Sequence, residues 1–204
     1  MPTIYDLKPK FQALLRPLCS ALAKDGVTAN QVTIAAFGLS LAHGAANAAT
    51  GGAAWVLLAL PFVLFVRMAM NAIDGMLARE FGQQSRLGAI LNELTDVFSD
   101  AALYLPFALI AGMPAALIVI LVILAIIAEM TGAVAVQIGA TRRYDGPFGK
   151  SDRAFFFGAL ALLLLFIEPG RWSTVLLAFA AALAFATIVN RSRMALKEGR
   201  HGNA

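Results

Sequence analysis

Cysteine occurs once (Cys19) and histidine only twice (His43, His201) in this 204-residue chain. That scarcity excludes a disulfide framework and any Cys/His zinc cluster. It also argues against a Cys-His or Ser-His-Asp hydrolase of the usual kind, because His43 sits in an apolar run and His201 in a polar tail. Charge is scarce too. Only 14% of residues are charged, against about a quarter in soluble domains. What fills the chain instead is apolar: 60% of residues are hydrophobic and the mean hydropathy is +0.77. These values identify an integral membrane protein. The net charge of +4 and pI near 9.6 would suit nucleic acid in a soluble chain. Beside membrane-length apolar runs, basic loops facing an anionic cytoplasmic leaflet account for them better, so no nucleic-acid partner is expected.

The apolar runs fall at about 32–50, 53–78, 87–111, 114–140, 154–168 and 171–190, and a helix needs roughly 20 residues to cross a bilayer. Gly51-Gly52, Gly112-Met113-Pro114 and Glu168-Pro169-Gly170 mark turns between them. The fifth run is short, so its start is expected to reach back into the preceding loop. Residues 4–24 space Ile4, Leu7, Phe11, Leu14, Leu15 and Leu18 among Lys8, Lys10, Arg16 and Lys24. That is the pattern of an amphipathic helix lying in the interface, bent at Pro17, and not of a signal peptide. The expected fold is therefore all-α: six transmembrane helices preceded by an N-terminal interfacial helix, one domain over 1–204, fraying from about 195. Lysine and arginine collect in the N-terminal segment, the second-to-third and fourth-to-fifth connections and the tail. The opposite connections carry only Arg171, which places both termini in the cytoplasm. Cys19 reads as a small apolar packing residue, with acylation as the alternative.

Ionisable groups inside membrane helices are costly and are functional candidates by default. Here they cluster. Asp74 and Arg79 end the second span; Glu93, Asp96 and Asp100 open the third; Arg67 and Glu129 lie deeper. Gly88, Asn92, Asp96 and Asp100 recur every four residues and form one stripe of a helix. Asn71, Asp74, Gly75, Ala78 and Arg79 share a face of the helix before it. A short connection makes the two helices antiparallel neighbours, so the stripes can face each other near the cytoplasmic surface. Carboxylates converging from two helices suit a hard divalent cation such as Mg²⁺, which would hold a diphosphate, and the small residues let that ligand approach the backbone. The alternative is mutual neutralisation of charges across a helix pair.

The same residues resemble the CDP-alcohol phosphotransferases (CDP-alcohol phosphatidyltransferases), whose motif is D-x2-D-G-x2-A-R-x8-G-x3-D-x3-D. This chain has Asn71-x2-Asp74-Gly75-x2-Ala78-Arg79, eight residues, then Gly88-x3-Asn92-x3-Asp96. Thr28-Ala29-Asn30-Gln31-Val32-Thr33 is similar to the family's T-P-N-x-[IV]-T, and Ser85-Arg86-Leu87-Gly88 to its [ST]-R-[FL]-G. The resemblance implies transfer of a phosphate-linked group from a CDP-linked lipid, such as CDP-diacylglycerol, to an alcohol with release of CMP. It implies a homodimer, and a place in the plasma (inner) membrane of a bacterium. It further implies that Asp74, Gly75, Ala78, Arg79, Ser85 and Gly88 hold the CDP moiety, and that Asp96 is the base for the acceptor hydroxyl.

Two motif positions carry asparagine, Asn71 and Asn92, where the family has metal-bridging aspartates. Two carboxylates balance one divalent ion, so Asn71, Asp74, Asn92 and Asp96 are expected to hold one Mg²⁺ or Mn²⁺ rather than two. Arg67, one turn before Asn71, would supply part of the missing positive charge; its alternatives are pairing with Glu93 or Glu129, or snorkelling. On the acceptor side, Asp100, Lys150, Arg153 and Arg191 form a candidate pocket, against the alternative that the loop arginines serve only as topology signals. By the resemblance, members that use phosphorylated alcohols keep arginines at places similar to Arg153 and Arg191, but the further lysine they carry in the fourth span has no equivalent here beyond Gln137, which weakens the case for a phosphorylated acceptor. The rival functional reading is a catalytically silent member that binds CDP-lipid as a regulatory or partner subunit.

Overall fold

Glycine and proline set several of the helix ends. In the computed structural model, which describes residues 4–201 and the side chains of 10–198, Gly51 and Gly52 take φ of 60° and 90°. Only glycine adopts that region at little cost, and the chain reverses there. Every regular element among the described residues is helical: α1 (Ile4–Lys24), α2 (Ala29–Thr50), α3 (Ala54–Glu80), α4 (Arg86–Tyr104), α5 (Ala115–Val134), α6 (Lys150–Leu163) and α7 (Arg171–His201). Short 3-10 turns follow α4 at Leu105–Leu109 and α5 at Ala135–Ile138. The start of α2 is fixed by a reciprocal pair: the Gln31 amide donates to the Thr28 hydroxyl at 3.3 Å, and the Thr28 amide donates to Gln31 Oε1 at 2.8 Å. This is a capping box with glutamine in the glutamate position.

Four helices are long and apolar enough to cross a membrane: Ala29–Thr50, Ala54–Glu80, Ala115–Ile138 and Arg171–Glu198. The remaining two expected spans depart from that standard for different reasons. In α4, Arg86, Glu93, Asp96 and Asp100 share 19 residues, and the helix gives way after Tyr104 to the 3-10 turn Leu105–Leu109, where Pro106 has no N–H to continue the α-helix. In α6 the start does reach back into the loop, to Lys150, but the helix is only 14 residues long. The last helix corrects a further expectation. Residues 195–201 continue α7 instead of fraying, because Ala195 packs against Ala135 and Ala140 and Glu198 is held by Thr141 and Arg143. Residues 202–204 of the expected tail lie outside the described residues.

The chain forms two compact units, Met1–His43 with Phe62–Ser99, and Gly44–Pro61 with Asp100–Ala204. In the first, Cys19, Ala29, Val32, Ile73, Met76 and Leu77 make a core onto which Leu15, Leu22 and Val27 fold, so one face of α1 is spent on α3. Cys19 is fully buried, as the packing reading expects. Its Sγ lies 3.9 Å from the Ile73 carbonyl oxygen, and burial pushes its thiol pKa up. Arg16 pairs with both carboxylate oxygens of Glu80 at the end of α3. In the second unit α5 and α7 pack along one another, and Tyr104 stacks on Phe157 with ring centroids 4.0 Å apart. Of the run Phe155-Phe156-Phe157, Phe157 is core and Phe155 is exposed.

Candidate functional site

Within the first unit, the ends of α2, α3 and α4 carry the polar stripes. Asp74 is 5% exposed, and its Oδ2 lies 2.8 Å from the Thr33 hydroxyl, which is also 3.0 Å from the Ala29 carbonyl. Thr33 thereby orients the acidic group from the neighbouring helix. The start of α2 is tied to the α3–α4 connection by Gln83, whose Oε1 accepts from the Ala29 amide at 2.7 Å and whose Nε2 donates to the Val27 carbonyl. Sequence reasoning assigned no role to Thr33, Asn30 or Gln83. The first two belong to the Thr28–Thr33 motif, which the sequence alone marks only as similar to the family's T-P-N-x-[IV]-T.

Asp96 is the meeting point of α3 and α4. Its Oδ1 accepts from Asn71 Nδ2 at 3.2 Å and lies 3.5 Å from Arg67 Nη2, which also donates to the Asp96 carbonyl at 3.1 Å. The Arg67 side chain is 4% exposed and that of Asp96 is 27% exposed. A buried guanidinium therefore reaches a carboxylate that remains open to water. Of the alternatives for Arg67, snorkelling is ruled out by its burial.

The small residues of the stripes have steric reasons. A Cβ on Gly88 would stand 2.7 Å from Asn30 Oδ1 and 3.0 Å from Ser85 Oγ, and the Gly88 amide donates to Ser85 Oγ at 2.9 Å. A Cβ on Gly75 would stand 2.9 Å from Arg79 Nη2, so the Arg79 guanidinium lies back over Gly75. Arg79, Ser85 and Asn92 are exposed, while Ala78 and Gly88 are half-buried.

Asp74 and Asp96, with the side-chain amide oxygens of Asn71 and Asn92, are the oxygen donors of the type a hard cation takes. No group of three His, Cys, Asp or Glu side chains converges among the described residues.

Of the residues expected on the acceptor side, the second unit brings together Asp100, Arg153 and Arg191. Arg153, 1% exposed, directs Nε and Nη2 to Asp100 Oδ2 at 3.2 and 3.0 Å, and Nη2 also to Glu129 Oε1 at 2.9 Å. Arg191, equally buried, donates to the Ala128 carbonyl at 2.6 Å and the Asp145 carbonyl at 3.2 Å, with Glu129 Oε1 3.4 Å away. Arg142 reaches Glu129 Oε2 at 3.4 Å and lies over the Tyr144 ring. Lys150 opens α6. Gly132, one turn beyond Glu129, makes room for the cluster: a Cβ there would meet the Arg143 carbonyl oxygen and come within 3.3 Å of Arg191 Nη1. Arg143 bonds to Asp145 and Glu198; the Asp145 hydrogen bond first, then Glu198, raise its guanidinium pKa further.

A sequence model of CDP-alcohol phosphatidyltransferases matches residues 26–188. The chain is 47% identical over 195 residues to the inner membrane protein YnbA of Escherichia coli (strain K12), covering 95% of this chain and 96% of that one. It is 31% identical over 107 residues to the archaetidylinositol phosphate synthase of Pyrococcus horikoshii, about half of each chain. Among solved structures it is similar to the phosphatidylinositol phosphate synthase PgsA1 of Mycobacterium tuberculosis, with a TM-score of 0.73 and 23% identity. This holds for PgsA1 in complex with manganese and citrate (88% of both chains) and with CDP-DAG bound (88% and 92%).

Proposed function

This chain belongs to the CDP-alcohol phosphatidyltransferase family, and from that premise we propose that it moves a phosphatidyl group from CDP-diacylglycerol or a related CDP-lipid to an alcohol. The observation that carries the reading is Asp96, a half-exposed carboxylate gripped by Arg67 and Asn71, in the motif with Asp74, Gly75, Ala78, Arg79 and Gly88. In the reaction the alcohol oxygen attacks the lipid-bearing phosphorus, and the bond from that phosphorus to the bridging oxygen breaks. CMP leaves with that oxygen, and the hydroxyl proton passes to Asp96. A carboxylate base and charge neutralisation are what such a transfer asks of a protein.

Asp74, oriented by Thr33, would hold one divalent ion together with Asp96, Asn71 and Asn92. That ion supplies charge neutralisation at the diphosphate when bound. Arg67 fills part of the same need, since its buried cation beside Asp96 stands where the altered motif lacks acidic charge to hold a second ion. Arg79, Ser85 and Gly88 lie where a nucleotide can approach from water. Manganese in PgsA1 and CDP-DAG in its complex support this choice of ion and donor.

The placement in the membrane follows the same reading. Six crossings, with α4 and α6 as the polar and short members, leave α1 in the interface, and exposed Leu14 and Leu18 on α1 suit the lipid side. The name of the E. coli relative supports an inner membrane location. Cytoplasmic termini and a homodimer complete the proposal.

Purified protein given CDP-diacylglycerol, Mg²⁺ or Mn²⁺ and a panel of alcohols should release CMP only when both ion and acceptor are present. CDP-lipid bound without CMP under every condition would overturn the transferase reading in favour of a silent lipid-binding subunit.

A further inference from the structure

Glu129 is the one carboxylate that α5 carries, and it is placed where an anionic ligand of the arginines would otherwise go. Its Oε1 is shared by Arg153 and Arg191, and its Oε2 faces Arg142. One side chain thus engages three guanidinia, much as the oxygens of a bound phosphate would. Asp100 occupies the Nε–Nη2 edge of Arg153. What is left over is one donor: Nη1 of Arg153 has no partner although the residue is 1% exposed. A lone buried N–H in membrane protein costs free energy until something accepts from it.

We propose that Glu129 is a resident counter-anion that makes this cluster select an uncharged polyhydric alcohol over its phosphorylated counterpart, with one hydroxyl oxygen of the alcohol accepting from Arg153 Nη1. The inference rests on the transferase reading only in taking this cluster as the acceptor subsite. A phosphomonoester dianion here would have to share the same guanidinia with a carboxylate about 3 Å away, and like charges at that separation repel strongly where water is scarce. A neutral hydroxyl adds no charge and satisfies the orphaned donor. The residue that sets acceptor class is then one the nucleotide motif does not include.

The experiment has two arms. In the first, inorganic phosphate is titrated, with divalent ions chelated, into purified wild type, Glu129→Gln and Glu129→Ala. Wild type should show no saturable binding at millimolar phosphate. Removing the resident charge should tighten binding at least ~10-fold, as expected when a buried arginine loses its carboxylate partner. In the second arm, CMP release from CDP-diacylglycerol is compared for glycerol and myo-inositol and their monophosphates. Wild type should favour the unphosphorylated member of a pair, and Glu129→Gln should shift the preference toward the monophosphate. Saturable phosphate binding by wild type, or wild-type preference for a monophosphate, overturns the proposal; both need only wild type, so a variant that fails to fold does not protect it. Absence of CMP with every alcohol, alongside a gain of phosphate binding in Glu129→Gln, fells the transferase reading while upholding Glu129 as the counter-anion.

Discussion

Replacing Arg153 with methionine is the sharpest perturbation of the buried charge network. The guanidinium is 1% exposed and bonds two carboxylates, Asp100 at 3.0 Å and Glu129 at 2.9 Å. Methionine fills a similar volume but leaves two acidic groups with less compensation in a region where water cannot replace it. Breaking a buried pair by removing one partner costs about 3–5 kcal/mol, so thermal unfolding in detergent should fall by something on the order of 10 °C. The loss is not shared evenly. Glu129 keeps Arg142 and Arg191, whereas Asp100 loses both of its close bonds to Arg153. Adding Asp100→Asn to Arg153→Met should therefore recover part of the deficit, while Asp100→Asn alone should destabilise. Arg153→Lys should fall between, because an ammonium keeps the charge but not the fork that reaches both carboxylates. The measurement is the melting temperature of the four variants beside wild type. If Arg153→Met melts within about 1 kcal/mol of wild type, or if Asp100→Asn deepens the loss in the double variant, the network does not carry the weight argued here.

Thr33→Val removes the hydroxyl that serves Asp74 Oδ2 and should cost about 1–3 kcal/mol of stability in chemical unfolding, the usual penalty for a buried group left short of a bond; the ion affinity, read by metal titration, should weaken with it. Gly88→Ala forces a methyl group to within 2.7 Å of Asn30 Oδ1, which should raise the KM for CDP-lipid in a CMP assay while leaving the melting temperature close to wild type. Turning Asn71 and Asn92 together into aspartate restores two negative charges to the stripe, and isothermal titration with Mn²⁺ should then show tighter binding; unchanged affinity would place the ion elsewhere.

What the sequence made legible were features with a period. The four-residue spacing from Gly88 to Asp100 and the matching face of α3 rest on helix geometry alone, and the turns at Gly51-Gly52 and Pro169-Gly170 rest on backbone chemistry. The Thr33–Asp74 contact bridges 41 residues, and Arg153 meets Glu129 and Asp100 across 24 and 53; such pairings follow from how helices pack, which no spacing rule encodes. Glu129 stood out only as a charge at depth, and its partners came from a loop and two other helices. The persistence of α7 past Ala195 was missed for the same reason, whereas the shortness of α6 and its reach back to Lys150 were legible. Hydropathy measures what a segment prefers to touch, while Ala195 remains helical because of what it touches: Ala135 and Ala140.

The direct test of the account is CMP formation by Asp96→Asn beside wild type, with CDP-diacylglycerol affinity measured on the same samples. Asparagine keeps the size of the side chain and removes the basic oxygen, so turnover should drop ~100-fold or more with lipid-nucleotide affinity changed little. Turnover preserved in Asp96→Asn would contradict the assignment of the proton to that carboxylate, and with it the chemistry proposed for the facing stripes of α3 and α4.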